Sequence, residues 1–321
     1  MILVSRSGNS HVEAPSMTQR TLILDVPPDF SFWRTVLSHG WSTLQPFFLD
    51  RHRRRLLRVL QLDSQPALAE MREQGDGRVR VGVCSPGPLS GRDLRAVKAA
   101  VSHMLRLGES LAEFHRELAR RDRSGRFTWV PRARAGRLLR APSFFEDMVK
   151  MICTTNCSWK ATQRMVTGMV QKLGTRLDSD YCCFPGPEQV AGTTAQFLRR
   201  EIGCGYRGEY LIELAERVAT GRLPNGDWAD LTGEEAHHRL LATKGIGPYA
   251  AGNLLKLLGH YDHLSLDSWI RPRFAAVYGL KKVPKDSAIH RHYRPFGRWQ
   301  GLVLWLDLTR EWFEDGDARS P

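Results

Sequence analysis

Two apolar helical patterns meet at a glycine turn between Leu240 and Pro272, LLATKGIGPYAAGNLLKLLGHYDHLSLDSWIRP, and this stretch constrains the fold most tightly. Glu234 to Thr243 reads as a short helix with Leu240 and Leu241 on its apolar side. Thr232, Glu234 and Glu235 favour its start by capping and by the helix dipole. Gly245 and Gly247 permit backbone angles that side chains forbid and expose amide N–H groups. Pro248 suits the first turn of a second helix, where its missing N–H does no harm. That helix runs through Ala250, Ala251, Leu254, Leu255, Leu257 and Leu258, with Gly259 as its C-cap. Free amides at a helix N-terminus beside a glycine turn make an anion site. On the turn alone, an ordinary helical hairpin suffices as an explanation.

The residues that follow extend the pattern. Leu240, Gly245, Ile246, Gly247 and Ala251 fit L-x-x-x-x-G-[IV]-G-x-x-x-A, and Asp267 stands about 20 residues beyond in LSLDSWIR. Together they resemble the helix-hairpin-helix motif of the DNA glycosylase superfamily that includes endonuclease III. The resemblance implies that Asp267 is the catalytic carboxylate. A plain helix N-cap is the simpler role for it, and the two are compatible. Pro272 would remove an early hydrogen bond from a helix begun at Asp267, so the start of that helix is open.

Other stretches resemble particular branches of the superfamily. SHGWSTLQPF, residues 38–47, is similar to the amino-terminal domain of alkylpurine DNA glycosylases II and 8-oxoguanine DNA glycosylases, which endonuclease III lacks. CTTNCSWKATQRMVTGMVQKLG resembles the 8-oxoguanine glycosylase segment whose Asn enters the duplex. Asn156 matches that Asn, whereas Cys157 and Ser158 depart from the further Asn residues of that family. YCCFPGPEQV and GCGYRGEYL resemble the same enzymes, with Tyr206-Arg207 before a helix running to about Gly221. Arg298 to Asp307 resembles their final helix, which lines the base pocket. Tyr249, Gln300, Leu304 and Trp305 are thereby implied as pocket residues; for Trp299 and Trp312 a core role is the better reading. Asn156, Lys244, Gly245, Ile246, Gly247 and Tyr249 are implied to contact DNA. Similar hairpins bind a monovalent cation through carbonyls, here those of Leu241, Thr243 and Ile246. The implied fold is mostly α with an N-terminal α+β domain, its two helical lobes flanking a DNA groove.

Charge and composition agree with such a partner. Among 321 residues, 47 Lys and Arg against 34 acids leave a formal charge of +13, which favours a polyanion. No apolar run approaches a membrane span, and the first twenty residues hold no sustained apolar core, so a cytoplasmic, nucleoid-associated protein without a leader is expected, with Met17 as an alternative start. Cys84, Cys153, Cys157, Cys182, Cys183 and Cys204 fit neither a zinc site nor a disulfide framework. Some superfamily members hold an iron–sulfur cluster on four cysteines after the catalytic Asp. This chain has no cysteine there, so reduced, mostly buried thiols and no cofactor are expected.

Along the chain, strand character covers Thr21 to Val26, Trp41 to Leu49, Leu56 to Leu62 and Arg78 to Val83, the last after an Asp76-Gly77 turn. Arg92 to Leu107 and Leu111 to Ala119 read as helices. The expected organisation is a disordered 1–19, an α+β domain over 20–120, a basic linker over 121–140, a helical glycosylase domain over 141–313 and a tail over 314–321. Two arginine runs would favour phosphate contact, Arg51 to Arg58 and Arg120 to Arg140; for the first, a solvated face serves as well. From Pro142 the pattern is helical, with Ser143 and Ser158 as caps and Met165 and Met169 as core. Further helices are expected near Asp286 to Tyr293 and Trp299 to Trp312.

The resemblance implies a monomer that flips a damaged nucleotide out of double-stranded DNA and hydrolyses its glycosidic bond. Bifunctional members carry a Lys two residues after the second hairpin glycine; here Tyr249 occupies that place, and a phenol forms no imine. Water is then the expected nucleophile, without lyase activity. Alkylated purines such as 3-methyladenine come first as substrates, because Tyr249 suits stacking on a cationic base. 8-Oxoguanine and deaminated or mismatched bases are the alternatives. Outside catalysis, the rivals are a hairpin DNA-binding module and a basic RNA-binding scaffold.

Overall fold

The computed structural model describes residues 18–75, 77–223, 228 and 230–314. The expectations for residues 1–17, Asp76 and 315–321 lie outside them. An antiparallel sheet of order β1-β5-β4-β3-β2 opens the chain: β1 Thr18–Asp25, β2 Phe47–Asp50, β3 Arg55–Gln61, β4 Pro66–Gly75 and β5 Arg78–Ser85. Thr18 and Gln19 thus begin a strand instead of ending a disordered leader. Helices α1 Phe32–Val36, α2 Gly91–Met104, α3 Ala112–Arg121 and α4 Trp129–Arg132 accompany the sheet. The remainder is helical: α5 Phe144–Thr154, α6 Trp159–Leu173, α7 Pro187–Ala191, α8 Ala195–Arg200, α9 Arg207–Ala219, α10 Gly233–Leu241 and α11 Pro248–Leu258. It ends with α12 Ile270–Val277, α13 Asp286–Tyr293, α14 Gln300–Leu308 and α15 Glu311–Glu314.

Two expectations for the sheet need correction. Trp41 to Leu49 is not one strand: Gly40–Thr43 form a 3₁₀ turn, and β2 begins only after Pro46, which has no N–H for a ladder. β4 is absent from the sequence reading. Its PALAEMREQG is rich in helix formers, but pairing with β3 and β5 on both sides overrides local preference.

Alternation along β3 shows how the sheet is used. Leu56 and Leu60 enter the main core, while Leu57 and Val59 pack with Leu68, Leu177 and Cys183 on the opposite face. The main core runs without a break from Met71 and Val81, through Met148 and Ile152 of α5, to Leu254 and Leu302. Arg58, on the inner face of β3, grips buried Glu146 with two 2.7 Å hydrogen bonds, and Lys150 pairs with the same carboxylate at 2.7 Å. Burial alone would push Glu146 up; Arg58 and Lys150 outweigh it and hold the carboxyl below its usual range. Trp41 Nε1 donates to the next residue, Asp147, at 2.6 Å.

Part of each arginine run points inward, while Arg53, Arg54, Arg120, Arg123, Arg132 and Arg134 are exposed. Arg55 pairs with Asp50 and Glu70. In the second run Arg126 pairs with Asp307, Arg140 with Glu109, and buried Arg137 with Asp29. Arg137 also donates to the carbonyls of Arg106 and Glu109. These pairs staple the segment over residues 121–140 to its neighbours.

Candidate functional site

The hairpin forms as its residues dictate. Thr232 closes a capping box with Glu235 at the start of α10. Gly245 has φ +87°, and a Cβ there would meet the Tyr210 ring at 2.7 Å, so both backbone and neighbour exclude a side chain. Gly247 is the N-cap of α11 and has open space where a Cβ would stand. Ile246, between them, is buried in the core. Lys244 projects outward with Nζ 3.5 Å from Glu213. Of the three carbonyls implied for a cation, that of Thr243 accepts the Ile246 amide at 3.0 Å.

A cavity of about 1020 Å³ opens beside this turn. Asp267 stands in its wall at the start of α12. Its Oδ1 accepts the amides of Trp269 at 3.0 Å and Ile270 at 2.6 Å. The carboxylate is thus held to the helix by one oxygen. Pro272 falls on the third residue of α12, inside the first turn, where no N–H is required. Asp267 thus caps the turn that leads into α12, whose N-cap position is Trp269, and the open start of this helix is resolved at Ile270.

Aromatic rings form the next part of the wall. Trp269, Trp305 and Trp312 cluster with centroid separations of 6.2, 5.7 and 5.5 Å. Trp305 is anchored by its indole N–H on the Ser38 carbonyl at 2.8 Å. Leu304 and Tyr249 line the same space. Burial, and then the charge of Asp267, push the Tyr249 phenol up to about 12, so it stays protonated at neutral pH. Asn156 lies on the rim at φ +49°, donating to the exposed Tyr206 hydroxyl at 3.3 Å.

Two assignments change. Gln300 does not line the cavity: its amide donates to the Asp262 carbonyl at 2.5 Å, bracing the segment before Asp267. Trp312, read as core, is buried and also lines the cavity, whereas Trp299 is half-buried against the core, stacked on Tyr261 at 5.4 Å. Lys256, two helical turns beyond Tyr249, lines the cavity as well. Trp269 escaped sequence reasoning although it adjoins Asp267 in LDSW; an aromatic two residues from the carboxylate was the available signal.

All six cysteines are free thiols, and among the described residues no cluster of three His, Cys, Asp or Glu is placed to hold a metal. No helix among them is long and apolar enough to cross a membrane.

No protein-family profile matches the sequence. The chain is 24% identical over 155 residues to an N-glycosylase/DNA lyase of Saccharomyces cerevisiae, covering 42% of this chain and 41% of that protein. It is 28% identical over 177 residues to DNA-3-methyladenine glycosylase 2 of Escherichia coli, covering 54% and 58%. The chain thus spans about half the length of the curated relatives it matches. In fold it resembles a 3-methyladenine DNA glycosylase of Archaeoglobus fulgidus, with TM-score 0.71, 18% identity and coverage of 90% and 98%. An 8-oxoguanine glycosylase/lyase of Clostridium acetobutylicum gives TM-score 0.68, 17% identity and coverage of 91% and 98%. Fold likeness over nine-tenths of the chain and sequence likeness over about half of it point the same way, and the chain has the fold of the helix-hairpin-helix DNA glycosylases.

Proposed function

We propose that this chain is a DNA glycosylase of base excision repair that hydrolyses the N-glycosidic bond of a flipped, damaged base, with water as nucleophile. The observation that carries this is Asp267, a carboxylate in the wall of a ring-lined cavity beside the hairpin. A hairpin used only to bind DNA needs the glycines but neither the carboxylate nor the cavity.

Each part has a task. The amides at Gly245 and Gly247, with Lys244, hold a backbone phosphate without reading sequence. A monovalent cation on the carbonyls of Leu241, Thr243 and Ile246 would add positive charge at that contact. Flipping costs roughly a few kcal/mol, and Asn156 on the rim fills the vacated space. As the bond breaks, positive charge develops on the sugar, as in glycoside hydrolysis. The Asp267 carboxylate stabilises that charge and orients the attacking water. Tyr249 stands where a bifunctional enzyme would carry its amine, so the product is an intact strand with an abasic site.

The three tryptophans favour an alkylated purine such as 3-methyladenine. A cation over indole faces gains about 0.5–2 kcal/mol that a neutral base forgoes. Two of the relatives, by name, act on 3-methyladenine. The likeness to an 8-oxoguanine glycosylase/lyase keeps oxidised guanine as the second substrate. The test is release of free base from duplexes containing methylated, oxidised or deaminated bases. Methylated purine should be released fastest; release of none from any duplex would refute the enzyme reading.

A further inference from the structure

Lys256 has no part in the chemistry assigned to Asp267, yet it is only 2% exposed and lines the same cavity. It stands two helical turns beyond Tyr249, but its side chain runs back along α11 toward the N-terminus. Nζ reaches the Gly252 carbonyl at 3.3 Å and Asn253 Oδ1 at 3.2 Å. It then crosses to Ser265 Oγ at 2.6 Å, two residues before Asp267. Gly252 makes the crossing possible, because a Cβ there would collide with Ser265 Oγ. The three oxygens reached are all uncharged. A buried ammonium on neutral partners is destabilising, and a methionine would fill the volume without that penalty. Packing therefore gives no reason for the charge.

The segment ahead of Asp267 supplies one. On its outer side α14 braces it: the Gly301 amide donates to the Tyr261 carbonyl at 2.7 Å, and Gln300 holds the Asp262 carbonyl. On its inner side it is held by Lys256 through Ser265. Asp267 itself is tied forward to α12 by one carboxylate oxygen.

We propose that Lys256 is the positioning residue for Asp267: its ammonium clamps Ser265, and so the segment that presents the carboxylate, and supplies a counter-charge inside the cavity. This deepens the glycosylase reading and rests on Asp267 acting as described. The groups that face Lys256 are few. Asp267 acts on it through space, His263 lies further back on the same segment, and Arg106 touches only its backbone carbonyl. Burial, opposed by Asp267, brings the ammonium down to about 7, so the clamp is charged below that pH and is lost as pH rises through it.

The test compares Lys256→Met, Ser265→Ala and Asp267→Asn in the full chain. Duplex carrying a methylated purine serves as probe, with thermal melting, duplex affinity and single-turnover excision measured on each variant. Lys256→Met should melt no lower than the native chain and bind duplex within twofold. It should excise about tenfold more slowly or worse, the loss expected for a charge-assisted hydrogen bond. The native rate should fall as pH rises through about 7, and Lys256→Met should lack that limb. Ser265→Ala should be slower by a few-fold. Lys256→Met within twofold of the native rate overturns the proposal. So does an adduct trapped by borohydride on the native chain and lost in Lys256→Met, because the lysine would then be a nucleophile. If Lys256→Met does not fold, Ser265→Ala decides, and a rate within twofold of native overturns the proposal. An active Asp267→Asn would sink the catalytic reading and this one with it. An inactive Asp267→Asn beside a normal Lys256→Met sinks this one alone. A native chain that excises nothing overturns both.

Discussion

Lys150 and Lys256 are both buried, and their surroundings are opposite. Lys150 lies 2.7 Å from the Glu146 carboxylate that Arg58 also grips, and 4.8 Å from the Phe47 ring centre. Three charges from a strand and a helix meet there, and the result joins the sheet to α5. Lys256 touches only neutral oxygens and feels a carboxylate through space. Burial lowers both lysines, but Lys150 has a carboxylate at contact to offset it. A buried charge with its counter-charge at contact serves architecture. On the proposed mechanism, one left with neutral partners beside Asp267 is placed for chemistry.

The largest effect tests the cavity side of this contrast. Asp267→Asn keeps the shape and one acceptor oxygen for the amides of α12, and removes the charge. Excision should drop by several orders of magnitude while duplex binding survives, as read from single-turnover release and a binding titration. Near-normal excision by the folded variant would remove Asp267 from the mechanism. The next effect tests the staple. Glu146→Gln leaves Arg58 and Lys150 facing each other without a counter-charge, which should lower stability by about 3–5 kcal/mol in denaturant unfolding. Excision per folded molecule should stay native. A loss below about 1 kcal/mol would mean that the pair is incidental to the fold.

Sequence patterns reach these two regions unequally. The hairpin was legible because each position has a local reason: a capping box, a left-handed glycine, a proline at the first helical turn. The caps at Ser143 and Ser158 were legible for the same reason, each accepting an amide three residues on. Asp267 was legible by its distance from the turn. What escaped depends on partners remote in sequence. β4 is a strand because β3 and β5 flank it. Arg58 and Arg137 turn inward because Glu146 and Asp29 wait there. Gln300 leaves the cavity because the Asp262 carbonyl is within reach, and Lys256 enters it because its side chain runs backward along its own helix.

A third effect is smaller and bears on which base the cavity accepts. Trp312 completes the ring cluster against Trp269 and Trp305. Trp312→Leu should keep the fold and weaken excision of a cationic methylated purine by about two- to thirtyfold, the equivalent of about 0.5–2 kcal/mol. A neutral base such as hypoxanthine should lose less. Equal losses on both would turn the cluster into a hydrophobic wall without charge preference.

The smallest effect concerns the rim. Asn156 has φ +49°, a conformation that Asn tolerates and Ala disfavours by about 1 kcal/mol. A simple Asn156→Ala variant thus mixes two losses, the side chain and the backbone turn between α5 and α6. Asn156→Gly separates them, because glycine adopts that turn freely and carries no wedge. If the side chain fills the space left by the flipped nucleotide, both variants should slow excision by a few-fold from a fully paired duplex. The loss should shrink where the base is already mismatched, since flipping is then easier. If only the backbone matters, Asn156→Gly should match the native rate in both contexts while Asn156→Ala lags in both. Excision from matched and mismatched duplexes by the three proteins gives six rates. Their pattern, more than any one of them, decides whether the rim takes part in opening the helix or merely links two helices.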